Sequence, residues 1–373
     1  SGAEIEALAE RLGETGKGLV VAGRLDTAAA GDATQRLAGH LGWPLVPDLT
    51  SRLRLGGGQA GRVSYGDLVL TSEAFREAHA LEAVLQVGGR FASKRLRLFL
   101  RDCAPETWAV VRPDPSRIDP DHRVTHHFEA DIPAFADALI ARLNGGGGTT
   151  NWRRAWTTAS ERTEAVVREH AEEADALTEP LVATVLSDEL PSSHALVAAS
   201  SMPVRDLNRH ATHEGHASPA YANRGASGID GTVATAAGVA IGRENPVTLL
   251  IGDLALLHDL NGLALLQDRQ VVVVVVNNDG GGIFHFLPIR EYDDFDPYFT
   301  TPHGRDFEDA AATFDLPYYR PERPEDFRAA YDEACRSGES AVIEVQTDRK
   351  TNRRVHERVE REVAAEVGSG TGG

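Results

Sequence analysis

The stretch Val247–Leu287, VTLLIGDLALLHDLNGLALLQDRQVVVVVVNNDGGGIFHFL, decides the fold. An apolar run stops at Gly252-Asp253, a helical segment follows, and six consecutive valines stop at Asn277-Asn278-Asp279-Gly280. Continuous rather than alternating β-branched runs mark strands buried on both faces, so this is strand, helix, strand inside a parallel sheet with a right-handed crossover. The carboxyl ends of the two strands then lie side by side. Ligands of open parallel sheets bind in the crevice beyond those ends, which brings Asp253 and the Asn-Asn-Asp-Gly turn to one place. A carboxylate, amide oxygens and the exposed carbonyls of a glycine-rich turn are hard oxygen donors that suit Mg²⁺ or Ca²⁺. Taken alone, the same pattern also fits a buried βαβ unit with a polar turn at its exit.

Working outward, 373 residues with 42% hydrophobic and 25% charged content have room for two or three domains with real cores. The net charge of −18 argues against nucleic acid or an anionic membrane as partner. Lysine occurs only at Lys17, Lys94 and Lys350, so arginine carries nearly all the positive charge. Cys103 and Cys335 are too few for a disulfide framework and suit a reducing cytoplasm. No secretory leader is visible, and the hexavaline run falls far short of the about 20 apolar residues that span a bilayer, so no integral membrane segment is expected.

From Glu4 to Leu143 strands and helices alternate: EIEALAERL, GLVVAG, AAAGDATQRLAGHLG, WPLVPDL, LEAVLQVGG, SKRLRLFLRD, TWAVVR and IPAFADALIARL. This predicts a Rossmann-like domain of the six-stranded type over residues 1–144. Gly23-Arg24 and Gly88-Gly89-Arg90 follow strands without completing a GxGxxG fingerprint, so neither NAD nor FAD is expected. Ser93-Lys94-Arg95 opens a helix directly after a glycine turn, a setting that attracts anions or simply makes a solvated basic face.

The run NGGGGTT at 144–150 reads as a linker, because four glycines sit badly inside a helix or strand. A second α/β domain over 151–373 then opens with a helix. HALVAASS is a strand, and PVRDLNRH begins a helix with Pro203 in its first turn and Ser201 placed to cap it or to bond an oxyanion. The glycine-rich loop NRGASGIDG, with Arg224 and Ile229, feeds the small-residue helix TVATAAGVAIG. His210, His213, His216 and His285 lack a HExxH pattern or cysteine partners and read as non-metal residues. A last helix and strand complete the domain, with Gly368 to Gly373 expected to be disordered.

Gly-Asp followed by Asn-Asn after a buried strand, with 25 residues from Asp253 to Asn278 and 27 to Gly280, resembles the diphosphate-binding motif of thiamin diphosphate enzymes. SSMPVR at 200–205, YANRGASGIDGT at 221–232, HDLNGL and GGGIF at 280–284 with Leu287 are similar to the 2-succinyl-5-enolpyruvyl-6-hydroxy-3-cyclohexene-1-carboxylate synthases, the MenD family. That likeness extends over most of 200–287 and reappears at Lys94-Arg95. It implies two Rossmann-like parallel-sheet domains, the second a thiamin diphosphate-binding fold. The implied cofactors are thiamin diphosphate and Mg²⁺ (or Mn²⁺), with Asp253, the Asn278 side chain and the Gly280 carbonyl on the metal. Ser201, Ile229, Gly252, Leu254 and Gly281 complete the implied cofactor contacts, with Ile229 or a neighbour as the wedge that bends the cofactor. Arg205 and Arg224 are implied grips for carboxylates, Lys94 and Arg95 further contacts for a second substrate, and Ile283, Phe284 and Leu287 an apolar wall beside the thiazolium.

The implied activity decarboxylates 2-oxoglutarate and adds the succinyl unit to isochorismate in menaquinone biosynthesis. A dianionic substrate must then be drawn in by local arginines against the global field. The resemblance also places the glutamate that activates the cofactor on a separate pyrimidine-binding domain, needed in cis or in trans, so this chain alone is expected to be inactive. The complete enzyme is expected to be a homodimer or homotetramer. An acetolactate synthase relative, or a non-catalytic fragment or subunit, remains the competing reading.

Overall fold

Two parallel sheets account for the buried β-branched runs of the sequence. A computed structural model describes residues 2–57, 59–143, 145–212, 215–225 and 228–370. The chain divides into two compact units, Ser1–Val167 with Glu360–Gly373, and Arg168–Val359.

The first unit holds β1 (Gly18–Ala22), β2 (Leu45–Pro47), β3 (Ala83–Val87), β4 (Thr107–Arg112) and β5 (His126–Glu129), in the order β2-β1-β3-β4-β5. Five strands form this sheet, not the expected six. The fifth escaped the sequence reading because its residues, HHFE, alternate between half-buried and exposed, as an edge strand allows. Thr27, Ser93 and Asp131 cap the helices Ala28–Leu41, Lys94–Cys103 and Ile132–Ile140, each accepting a backbone N–H of the first turn.

The glycine run is packed along this unit, with Asn144 outside the described residues. A Cβ at Gly146 would lie 2.4 Å from the His40 carbonyl oxygen, and one at Gly148 would lie 2.5 Å from that of Gly42. These glycines therefore serve close backbone approach as well as chain flexibility. The helix Thr150–Glu172 follows, and its residues as far as Val167 belong to the first unit.

The second unit holds β6 (Ala195–Ala198), β7 (Ala220–Ala222), β8 (Val247–Gly252), β9 (Val271–Asn277), β10 (Tyr318–Tyr319) and β11 (Ala341–Gln346), in the order β10-β11-β9-β8-β6-β7. The stretch that opened the reading is β8, the helix Asp253–His258, a 3₁₀ segment Leu260–Leu266, and β9 at the centre of the sheet. All six valines are buried, and complete burial of each such side chain is worth roughly 1.5 to 3 kcal/mol.

β8 and β9 pair in register, Gly252 opposite Val276, so their chains emerge side by side. Asp259 then fixes the next layer. Its carboxylate accepts the Val233 and Ala234 N–H groups at 2.7 and 3.2 Å, capping the small-residue helix Thr232–Arg243. Beyond β11 a further helix, Arg349–Ser369, was missed, and it corrects the expectation of disorder at Gly368 and Ser369. Residues 371–373 lie outside the described residues. Among the described residues no helix is long and apolar enough to cross a membrane.

Candidate functional site

At the carboxyl ends of β6, β8 and β9 the second unit encloses a cavity of about 250 Å³. Its floor is the pair of turns that follow the two central strands. Asp253, buried, spans them: Oδ1 accepts the Leu254 N–H at 2.7 Å and Oδ2 accepts the Gly280 N–H at 2.8 Å. Burial pushes the Asp253 carboxyl up from the usual carboxylate range, against these donated bonds. His303 stands 3.2 Å from Oδ2 by its Nε2, on a loop whose His303 and Gly304 N–H groups are held by Asp279.

The two asparagines at the end of β9 face opposite ways, as strand alternation demands. Asn277 points into a buried network, its Nδ2 donating to Glu344 at 2.8 Å and to the Arg305 carbonyl at 2.9 Å. Asn278 points into the cavity. Its Nδ2 donates to Glu179 Oε1 at 2.8 Å, and its Oδ1 is buried with no hydrogen-bond partner. Buried amide oxygens are seldom left so, because desolvating one without a partner costs about 1 to 3 kcal/mol.

Glycine is obligatory at the turn itself. Gly280 has φ 128°, and a Cβ there would meet the Thr300 carbonyl oxygen at 1.8 Å. At Gly282 a Cβ would lie 2.5 Å from Asn278 Nδ2.

On the opposite wall, Ser201 precedes the helix Met202–His210 with φ 71° and makes no capping hydrogen bond. A non-glycine residue in that region stores strain of order 1 to 3 kcal/mol, a cost concentrated at functional positions. Two carboxyl groups complete the polar lining. Glu179 is buried in the first turn of the helix Glu179–Glu189, and Asp206 is buried beside it. Burial raises both, and the proximity of Glu179 raises Asp206 further.

Of the residues singled out from sequence, Ser201, Ile229, Gly252, Asp253, Leu254, Asn278, Gly280, Gly281, Ile283 and Phe284 line this one cavity. Others do not. Arg205 is half-buried one turn into its helix and donates to the Ser201 carbonyl. Arg224 is exposed, and Leu287 is 41% exposed. Lys94 and Arg95 belong to the first unit; Lys94 is exposed, and Arg95 is paired with Asp67 at 2.6 Å and Glu360 at 2.9 Å. His213 and residues 226–227 of the glycine-rich loop lie outside the described residues.

The reading missed Glu179, Asp206 and His303. A glutamate after a capping threonine reads as a solvated helix start, and only the tertiary packing buries it.

The donor set fits a hard divalent ion. The Asp253 carboxylate, the orphaned Asn278 Oδ1 and the Gly280 carbonyl are oxygens, and all three residues line the cavity. An ion there would have to take the remaining lone pairs of Asp253 or displace the His303 imidazole.

Comparison with known proteins agrees in kind. The family described as the middle domain of thiamine pyrophosphate enzymes matches residues 8–197, and the thiamine pyrophosphate enzyme C-terminal TPP binding domain matches 193–345. The chain is 73% identical over 351 residues to the 2-succinyl-5-enolpyruvyl-6-hydroxy-3-cyclohexene-1-carboxylate synthase of Salinibacter ruber, covering 94% of this chain and 59% of the relative. It is 50% identical to the synthase of that name from Rubrobacter xylanophilus, covering 93% and 61%. The chain thus spans about three fifths of the length of these relatives. The fold matches a solved structure from Mycobacterium smegmatis, assigned as a thiamin diphosphate-dependent enzyme, with TM-score 0.68 at 19% identity, over 93% of this chain and 64% of that one.

Proposed function

Because the chain belongs to the thiamine pyrophosphate enzymes, in the family of 2-succinyl-5-enolpyruvyl-6-hydroxy-3-cyclohexene-1-carboxylate synthases, we propose that its second unit holds the diphosphate end of thiamin diphosphate through Mg²⁺ or Mn²⁺. The observation that carries this reading is the buried, unpartnered Asn278 Oδ1 facing the Asp253 turn across β8 and β9. Asp253, Asn278 Oδ1 and the Gly280 carbonyl would hold the ion, and Ser201 would meet a diphosphate oxygen. Bound thiamin diphosphate supplies the carbanion chemistry of 2-oxoacid decarboxylation and carboligation.

The complete enzyme then decarboxylates 2-oxoglutarate and adds the succinyl unit to isochorismate. Ile229 forms the apolar wedge, while Ile283 and Phe284 exclude water from the reacting carbons. Arg205 and Arg224 attract and orient substrate carboxylates despite the net charge of −18. Lys94 and Arg95 of the first unit are further candidates for the second substrate. The group that activates the cofactor lies on a pyrimidine-binding domain supplied in cis or in trans, in a homodimer or homotetramer.

The test is product formation from 2-oxoglutarate and isochorismate by the chain alone and with the pyrimidine-binding domain of a related synthase. Turnover only in the mixture is expected, because general acid–base catalysis worth about 10²- to 10⁴-fold per group is otherwise lacking. Turnover by the chain alone would place the activating group within residues 1–373. Preference for pyruvate over 2-oxoglutarate would instead favour an acetolactate synthase relative.

A further inference from the structure

The helix Met202–His210 carries a second polar cluster, which meets the diphosphate cavity at Asp206. Asp206 and His210 are spaced i and i+4, which puts them on one face of the helix. His356, from the last helix, meets them there. All three side chains are buried, at 2%, 1% and 2% exposure. His210 Nε2 lies 3.3 Å from His356 Nδ1, and His356 Nε2 lies 3.4 Å from Asp206 Oδ1. One donor atom from each residue lies within 4.8 Å of the others, and among the described residues this is the one such group of three.

Two of these atoms, Asp206 Oδ1 and His356 Nε2, are buried without a hydrogen-bond partner. They stand 3.4 Å from each other, and a cation between them would satisfy both. Donors that hold an ion at about 2.0 to 2.2 Å in a tetrahedron stand roughly 3.3 to 3.6 Å apart, close to the two spacings seen. His356 can give an ion only one nitrogen, so the three donor atoms, now within 4.8 Å of one another, must draw in to tetrahedral spacing to seat it.

The donor types also narrow the ion. Two imidazoles and a carboxylate suit Zn²⁺ and its transition-metal neighbours, whereas Mg²⁺ prefers oxygen alone. Glu179 lines the cavity with Asp206 and keeps a buried, unpartnered Oε2, so it or a water can fill a fourth position. Its carboxylate offsets the repulsion that Arg205 and Arg209 exert on a dication. The Phe286 ring, 5.0 Å from that of His356, closes the apolar side.

We propose that Asp206, His210 and His356 form a second metal site, for a transition-metal cation of the Zn²⁺ class, that clasps the helix carrying Arg205 to the last helix. The two ions would share none of these three ligands, although Asp206 and Glu179 also line the diphosphate cavity and Glu179 accepts from Asn278, so the test separates them with an Asp253 variant.

The test uses the full chain, stripped with a chelator and titrated with Co²⁺ as a visible probe, and then with Zn²⁺ in competition. An Asp253→Ala background removes the diphosphate ion site. The expected result is one equivalent of Co²⁺ with the intense d–d bands of tetrahedral coordination, in both the parent and the Asp253→Ala chain. Adding His210→Gln should weaken binding by at least roughly 10- to 100-fold and abolish the bands. His356→Gln should do the same, and circular dichroism checks that each variant is folded. If one histidine variant fails to fold, the other decides. Absence of tetrahedral bands in the parent would overturn the proposal and identify the cluster as a metal-free hydrogen-bonded group. Bands that survive in a folded histidine variant would also overturn it, by placing the ion elsewhere.

Discussion

Replacing Asp253 by asparagine removes one negative charge and almost no volume, which isolates the part of the site that the charge supports. The carboxylate accepts the Leu254 and Gly280 N–H groups at 2.7 and 2.8 Å and faces His303 at 3.2 Å. An asparagine can accept only one of the two backbone donors, and its own NH₂ must meet the other. That mismatch costs about 1 to 3 kcal/mol of stability, or roughly 2 to 4 °C in Tm for each kcal/mol in a domain of this size. The effect on the ion should be larger. The other donors are neutral, so losing the carboxylate removes the one charge-assisted contact, worth about 2 to 5 kcal/mol or roughly one and a half to four decades in affinity. Calorimetric titration of thiamin diphosphate into each chain, with Mg²⁺ and again with EDTA, reads this directly. The parent should bind only with Mg²⁺, and Asp253→Asn should bind far more weakly while still melting cooperatively. Binding by the variant in Mg²⁺ within about threefold of the parent, against the expected decades, would refute the assignment of Asp253.

Gly280→Ala should disorder the turn and abolish cofactor binding, because the new Cβ meets the Thr300 carbonyl at 1.8 Å and φ 128° is unfavourable to any side chain; a normal melting curve and normal binding would contradict this. In the enzyme completed with a pyrimidine-binding domain, Arg205→Ala or Arg224→Ala should raise the KM for 2-oxoglutarate by roughly one and a half to four decades while cofactor affinity holds. Unchanged 2-oxoglutarate kinetics would put the carboxylate grip elsewhere. Burial lowers His194 to about 4, its Nδ1 lying 3.1 Å from Thr248 Oγ1 in a chain that continues to the Tyr331 hydroxyl. The folded-state value thus lies below the unfolded 6.5, so the neutral ring's contribution is complete above about pH 6.5 and is lost as pH falls through about 4. Melting between those pH values should show a shallower acid loss in His194→Gln than in the parent, and parallel curves would rule the residue out.

Much of the second unit was legible along the chain because its signals are local. Six valines in a row can be a strand only if both faces are covered, and covered strands in succession imply a parallel sheet with its crevice at the carboxyl ends. Asp253 and Asn278 follow from that topology, since each stands just past the end of a central strand. The sequence also carries the glycines, but not the reason for all of them. The run at 145–148 reads as slack chain, whereas Gly146 and Gly148 are bare because the backbone passes within 2.4 to 2.5 Å of where a Cβ would be. Only the tertiary structure decided which polar groups face one another. Glu179 lies 99 residues from the Asn278 amide it holds, and His356 lies 146 residues from His210. No periodicity records such pairs, because burial and hydrogen bonding between distant segments are settled when the layers close. The same physics explains Arg95, which reads as a free cation beside a helix start until Asp67 and Glu360 fold against it.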